Sequence, residues 1–113
     1  MGGLFSSDTG VNMRSKEAVL VQNTVQDNEV VLFSKSHCPY CKTAKGIFNN
    51  MGVTAKVLEL DKMEQGPVMQ NVLEAMTKAR TVPRVFIKGR CIGGCSELKS
   101  LLASGQLHQM LQS

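Results

Sequence analysis

The chain has no tryptophan, a single tyrosine (Tyr40) and four phenylalanines, and aromatic residues make up only 4% of its 113 positions. Nucleic-acid binding asks for a concentrated basic surface interleaved with stacking side chains. Here the lysines are spread along the chain and the net charge is a modest +4, so no nucleic-acid partner is expected. An apolar run of about 18 residues is also missing, which excludes a transmembrane helix and stable membrane insertion. No secretory leader pattern is present, so the four cysteines do not read as two disulfides of a secreted domain. A reducing compartment, taken as the cytoplasm, is expected instead. With 42% hydrophobic residues the length suits one small domain with a real core and leaves no room for a second.

What the chain does have is Ser36-His37-Cys38-Pro39-Tyr40-Cys41, placed between the apolar run Val30-Val31-Leu32-Phe33 and a helical pattern. Two cysteines at this spacing, at a strand-to-helix junction, read as a redox dithiol. Only a thiolate attacks a disulfide, and a helix N-terminus offers free N–H groups and positive dipole to stabilise one. Cys38 is therefore the expected nucleophile. Cys41, one turn further in, gains less from the dipole and reads as the resolving thiol, while Pro39 suits a first helical turn that needs no N–H.

Residues 1–14 are polar, lack periodicity and read as a flexible tail ahead of a domain spanning 15–113. The tail begins Met1-Gly2-Gly3-Leu4-Phe5-Ser6, which fits a pattern for N-myristoylation of Gly2. A single acyl chain without a basic cluster or second anchor would give only weak, reversible membrane association. A mitochondrial transit peptide is not expected, because Arg14 is the sole arginine of this segment and Asp8 is acidic.

Ala18, Val21 and Val25 predict a helix over Ser15 to Asp27, and Val30 to Ser34 a buried strand. Ala44, Ile47, Phe48 and Met51 give the dithiol helix one apolar face, with Gly52 as its stop. Val53 to Leu60 reads as a second strand, Asp61 to Gly66 as a loop, and Pro67 as the opening of a helix carrying Met69, Val72, Leu73 and Met76. That methionine stripe reads as core filling. Val85-Phe86-Ile87 and Arg90-Cys91-Ile92 flank Lys88-Gly89 as a β-hairpin. Gly93-Gly94 breaks the strand, Leu98, Leu101 and Leu102 mark another helix, and Leu107, Met110 and Leu111 a short terminal one after Gly105. Strand–helix–strand units imply parallel pairing and the hairpin adds antiparallel edges. The expected class is α/β, a four-stranded mixed sheet with helices on both faces.

Phe33-Ser34-Lys35, Cys38-Pro39-Tyr40-Cys41, Thr81-Val82-Pro83 and Gly93-Gly94-Cys95-Ser96 occur in an order and spacing that resemble a dithiol glutaredoxin. The similarity runs from about Ser15 to the C-terminus. It implies a thioredoxin fold with Pro83 in cis, glutathione as co-substrate, and reduction of glutathionylated or disulfide-bonded proteins. It also implies a glutathione site. Lys35 and Gln70 match positions that hold the glycine carboxylate, Tyr40 packs beside the cysteinyl sulfur, and the Val82 backbone, between Thr81 and Pro83, pairs with the tripeptide. Gly94, Cys95, Ser96 and Glu97 match the γ-glutamyl end, although Glu97 stands where many relatives have aspartate. The chemistry agrees in outline, since glutathione carries two carboxylates and one ammonium and needs a cation at one end and helix N–H groups at the other.

Taken singly, Lys35 would be an ordinary solvated lysine and Gln70 an ordinary helix-surface residue; their positions around the dithiol favour a site. Cys91 is expected to pack as a small hydrophobe in its strand, Cys95 to pack inertly near the site, and His37 and His108 to be exposed. Three other classes fit parts of the pattern. A thioredoxin-type enzyme reduced by a flavoprotein is disfavoured by Gly93-Gly94 and by the missing tryptophan beside the dithiol. A zinc module of Cys38, Cys41, Cys91 and Cys95 is disfavoured by the long separation of the two pairs. An iron–sulfur carrier using Cys38 from each subunit is disfavoured by the stiffening Pro39, so no metal and a monomer are expected.

Overall fold

The computed structural model describes residues 10–112. In chain order the elements are α1 (Lys16–Asp27), β1 (Val30–Ser34), α2 (Pro39–Asn50), β2 (Lys56–Glu59), a 3-10 turn (Leu60–Lys62), α3 (Gly66–Thr77), β3 (Arg84–Ile87), β4 (Arg90–Gly93), α4 (Cys95–Ser104) and α5 (Gln106–Gln112). The strands form one sheet in the order β2-β1-β3-β4. β1 pairs parallel with β2 and antiparallel with β3, and β3 pairs antiparallel with β4.

β1 is buried on both faces because every residue from Val30 to Ser34 faces a helix layer. Alternation divides its side chains. Val31 and Phe33 join Ala18, Val21 and Val25 of α1 and Met69, Val72 and Leu73 of α3. Val30 and Leu32 face the other way, onto Ala44 and Phe48 of α2, Leu98 of α4 and Leu107 of α5. Phe33 meets Phe86 of β3 edge to face with ring centroids 5.7 Å apart, a pairing worth about 0.5–1.5 kcal/mol beyond its buried area. α2 is thus pinned to the sheet by its own apolar stripe, and its N-terminus is fixed in space.

Local signals explain most boundaries. Ser15 Oγ accepts the Ala18 N–H at 3.1 Å and starts α1. Gly52, at φ +72°, ends α2 by donating its N–H to Asn49 O at 3.0 Å. Lys88 and Gly89, at φ +50° and +83°, make the tight hairpin turn with both central residues left-handed. β2 is shorter than the expected Val53 to Leu60, since the Val53 N–H turns back to Phe48 O at 2.9 Å and closes the end of α2. Part of the expected loop after β2 is the 3-10 turn. Val11 and Met13 pack against the α1–α3 layer, so packing begins ahead of Ser15. The Gly2 acylation pattern lies outside the described residues.

Gly66 opens α3 under a tight constraint: a Cβ there would lie 1.9 Å from the Leu60 carbonyl oxygen. Gly52 has positive φ, but a Cβ added to it would meet nothing within 4 Å, so substitution there meets only backbone strain. Gly66→Ala should therefore cost about 3 kcal/mol in urea unfolding, against about 1 kcal/mol for Gly52→Ala. Equal costs would contradict the close approach of Gly66 to Leu60.

Candidate active site

Cys38 is the N-cap of α2, in extended backbone at φ −89° and ψ 119°, and its sulfur accepts the Cys41 N–H at 3.4 Å. The loop that brings it there is closed by the Cys38 N–H on Lys35 O at 3.1 Å. Across from the sulfur lies Val82 O at 3.9 Å, immediately before Pro83, whose peptide bond is cis as the resemblance implies. Cys38 is partly exposed, whereas Cys41 is fully buried, and both are free thiols.

Partial burial of Cys38 favours the neutral thiol, but hydrogen bonds from the Cys41 side chain and N–H and the Tyr40 N–H, together with the Lys45 charge, outweigh it. The Cys38 thiol is held below its ordinary value. Burial pushes the Cys41 thiol up; hydrogen bonds from the Lys35 backbone and Ser34 hydroxyl offset this only in part, and the neighbouring Cys38 adds to the rise. The two sulfurs are thus driven apart in reactivity, as a nucleophile and a resolving thiol require.

Two depressions are lined by close chain neighbours of Cys38, one by Tyr40 and the other by Lys35 and His37. One, of about 480 Å³, is lined by Tyr40, by Thr81, Val82 and Pro83, and by Gly94, Cys95, Ser96 and Glu97 at the start of α4. The other, of about 310 Å³, is lined by Lys35, His37 and Asp61 and by Gln70 of α3. The residues expected around glutathione therefore fall into two groups, each including a close chain neighbour of Cys38. Tyr40 is 65% exposed and free to cover a ligand. Gln70 spends one amide N–H on Arg80 O at 2.7 Å, bracing the segment that leads to Thr81. Glu97 folds back to accept the Gly94 N–H at 2.7 Å and the Ser96 hydroxyl at 3.2 Å, and these bonds lower its carboxyl. The Cys95 N–H and Ser96 N–H in the first turn of α4 have no acceptor within the helix.

Several contributors were not singled out in the sequence. Arg84 is only 8% exposed, donates its Nε–H to Pro83 O at 3.3 Å and lines the larger depression; its signal was a charge at the start of the apolar strand that follows Pro83. Asp61 accepts the Ser36 N–H at 2.9 Å and the Ser36 hydroxyl, with His37 Nδ1 at 3.5 Å. These bonds hold the Asp61 carboxyl down to about 2. Its signal was a carboxylate just past the C-terminal end of a parallel strand, where α/β sites are built. Cys91 corrects an expectation: it is exposed, not packed, because β4 is the outer strand of the sheet and position 91 has no covering layer. Cys95 is buried at the start of α4. Among the described residues no three His, Cys, Asp or Glu side chains gather as a metal-holding group, so the four cysteines do not form one four-thiolate site.

A dithiol at a helix start, beside a cis-proline loop and on a four-stranded mixed sheet covered on both faces, defines a thioredoxin-fold thiol oxidoreductase. The sequence matches the Glutaredoxin family model over residues 30–92. It is 43% identical to Bos taurus Glutaredoxin-2, mitochondrial, over 95% of this chain and 68% of that protein. It is 45% identical to Arabidopsis thaliana Glutaredoxin-C5, chloroplastic, over 80% of this chain and 53% of that protein. The structure superposes on a buckwheat glutaredoxin–glutathione complex with a TM-score of 0.84 and 38% identity, covering 85% of this chain and 87% of that one. The chain belongs to the glutaredoxin family. It spans 53% to 68% of the length of these curated relatives.

The cytoplasmic expectation is overturned, because these relatives are named mitochondrial and chloroplastic, which points to an organelle. A working dithiol asks for a reducing glutathione pool, and that condition does not single out the cytoplasm. No described helix is long and apolar enough to cross a membrane.

Two outcomes follow from this geometry. Alkylation of Cys38 against pH should show a midpoint below that of Cys41 and below an ordinary cysteine; equal midpoints would remove the thiolate argument. Asp61, lowered in the folded state, stabilises the fold fully above its ordinary 3.8 and progressively less as pH falls toward about 2. The stability difference between the wild type and Asp61→Asn should therefore shrink between about pH 5 and about pH 2. A difference that stays constant over that range would show that the charge of Asp61 plays no part.

Proposed function

We propose that the protein uses glutathione to reduce protein–glutathione mixed disulfides through Cys38 alone, and protein disulfides through Cys38 and Cys41 together. The observation that carries this reading is the Cys38 sulfur on the Cys41 N–H, with two ligand-sized depressions lined by close chain neighbours of Cys38. The solved complex of a buckwheat glutaredoxin with glutathione supports the choice of co-substrate. An organellar site of action agrees with the names of the relatives.

In the first step the Cys38 thiolate attacks the glutathione sulfur of the mixed disulfide, and the protein thiolate leaves. Glutathione then lies across the dithiol in disulfide linkage to Cys38. Its glycine carboxylate points to Lys35 and Gln70, its backbone meets the Val82 segment under Tyr40, and its γ-glutamyl carboxylate meets the first-turn N–H groups at Cys95 and Ser96. Glu97 is occupied by the Gly94 N–H in the free protein, so an ammonium contact would require that carboxylate to turn or share. In the second step a glutathione thiolate attacks the Cys38-bound glutathione sulfur, glutathione disulfide departs, and Cys38 leaves as the thiolate that the Cys41 N–H already holds.

Protein disulfides differ because the mixed disulfide on Cys38 holds a bulky partner. Cys41 then attacks the Cys38 sulfur from within the helix, at an effective concentration that free glutathione cannot match; the bond from Cys38 to the partner breaks, the partner leaves as a thiolate, and the Cys38–Cys41 disulfide so formed is reduced by two glutathione thiols with release of glutathione disulfide. Burial keeps the Cys41 thiol protonated until it is called on.

Parallel steady-state kinetics separate the two roles. Cys41→Ser should keep activity on a glutathionylated peptide and lose most of it on a protein disulfide, whereas Cys38→Ser loses both. Loss of deglutathionylation in Cys41→Ser would overturn the single-thiol cycle.

A further inference from the structure

Beneath the dithiol helix lies an ion pair that the cycle above does not use. Lys45 stands one helical turn beyond Cys41 on α2, and its ammonium meets Glu59 Oε2 at the end of β2. Both side chains are partly buried, at 29% and 27% exposure. The second oxygen, Glu59 Oε1, is buried and has no hydrogen-bond partner among the described residues. The carboxylate is therefore compensated through the Lys45 contact. Glu59 is also the register partner of Ser34 on β1, a buried residue that opposes the rise of the Cys41 thiol, so the pair lies on the sheet beneath the dithiol helix.

We propose that Lys45 and Glu59 are positioning residues for the dithiol, with Glu59 holding the ammonium under α2 and setting how much of its field reaches the Cys38 sulfur. The inference rests on Cys38 acting as a thiolate, as in the proposed function. The physical argument is one of partial cancellation. A lysine two turns along the same helix from Cys38 stabilises negative charge on that sulfur, and the Lys45 charge does so here as the smallest of the effects that lower the thiol, behind the hydrogen bonds from Cys41 and Tyr40. A carboxylate in contact with the ammonium screens it, and the low polarity under α2 makes both effects larger than they would be in water. The other charged residues on α2 and lining the two depressions are Lys35, His37, Lys42, Asp61, Glu64, Arg84 and Glu97. None of them pairs with Lys45 or Glu59, so changes in this pair leave them in place.

The competing explanation is a plain staple, in which the pair only fastens α2 to β2. A staple and a field device respond differently. Breaking a staple from either side loosens the same contact and moves Cys38 in the same direction. Removing the two charges one at a time moves Cys38 in opposite directions.

The test is the rate of iodoacetamide alkylation of Cys38 against pH in the full chain, with Cys41→Ser as the common background. This measurement needs no glutathione turnover, so it stays readable if the proposed catalytic cycle fails. Lys45→Gln should raise the midpoint and lower the thiolate fraction about threefold at pH values below it, while Glu59→Gln should lower the midpoint by a similar factor. Lys45→Arg should keep the wild-type profile. The double variant Lys45→Gln/Glu59→Gln, which leaves no uncompensated buried charge, should return the midpoint close to the wild type and remains informative if Lys45→Gln alone folds poorly. Shifts of the two single variants in the same direction, unchanged midpoints, or a double variant shifted further than either single one would overturn the proposal.

Discussion

The contact on which the site depends is the one between the Cys38 sulfur and the Cys41 N–H, made where the chain leaves β1 and enters α2. A helix start presents N–H groups that cannot be satisfied within the helix, and here a sulfur takes the place that a serine or aspartate oxygen usually fills. That substitution requires α2 to begin at one position and nowhere else. Pro39 in its first turn, Ala44 and Phe48 on the sheet, and Gly52 at its end supply the requirement in sequence order. The rest of the fold serves mainly to hold β1 at the centre of the sheet, because a shift of β1 would move the sulfur with it.

A lowered Cys38 thiol matters most for departure. With a Brønsted coefficient of about 0.4–0.5, a more stable thiolate loses intrinsic nucleophilicity nearly as fast as it gains population at neutral pH. A stable thiolate is, however, a better leaving group, and in the proposed cycle Cys38 must leave each time glutathione is carried off. The opposing burial of Cys41 has a matching consequence within the proposed cycle, where a resolving thiol that stays protonated would not expel glutathione early.

Most of the architecture is legible because it is written in local patterns. The limits of β1, the stop at Gly52, the Lys88-Gly89 turn and the break at Gly105 each depend on a few adjacent residues. Expectation and structure differ where burial and pairing part company. Val53 and Ala55 are apolar and packed against the α2 layer, yet they lie outside β2, and the Val53 N–H closes the end of the helix instead. Cys91 carries the reverse lesson: a small apolar residue in a strand reads as covered, but an outer strand leaves some positions bare. Compartment is not legible in the domain at all, since the dithiol chemistry is the same wherever glutathione is available.

The charged supports of the site escape a sequence reading for a reason that lies in the register of one strand pair. In the parallel pairing of β1 with β2, Ser34 stands opposite Glu59. Carrying the same offset past the ends of the strands brings Ser36 opposite Asp61, which is the pair of residues that hydrogen-bond. Glu59, on the strand itself, reaches up to Lys45 on α2, while Asp61, just beyond it, reaches across to the loop before Cys38. The two carboxylates therefore brace the start and the second turn of the dithiol helix from a single strand end. A slip of one residue in that register would turn both carboxylates to the wrong partners. No window of adjacent residues contains this relation, because Ser36 and Asp61 stand 25 residues apart and Lys45 and Glu59 stand 14 apart.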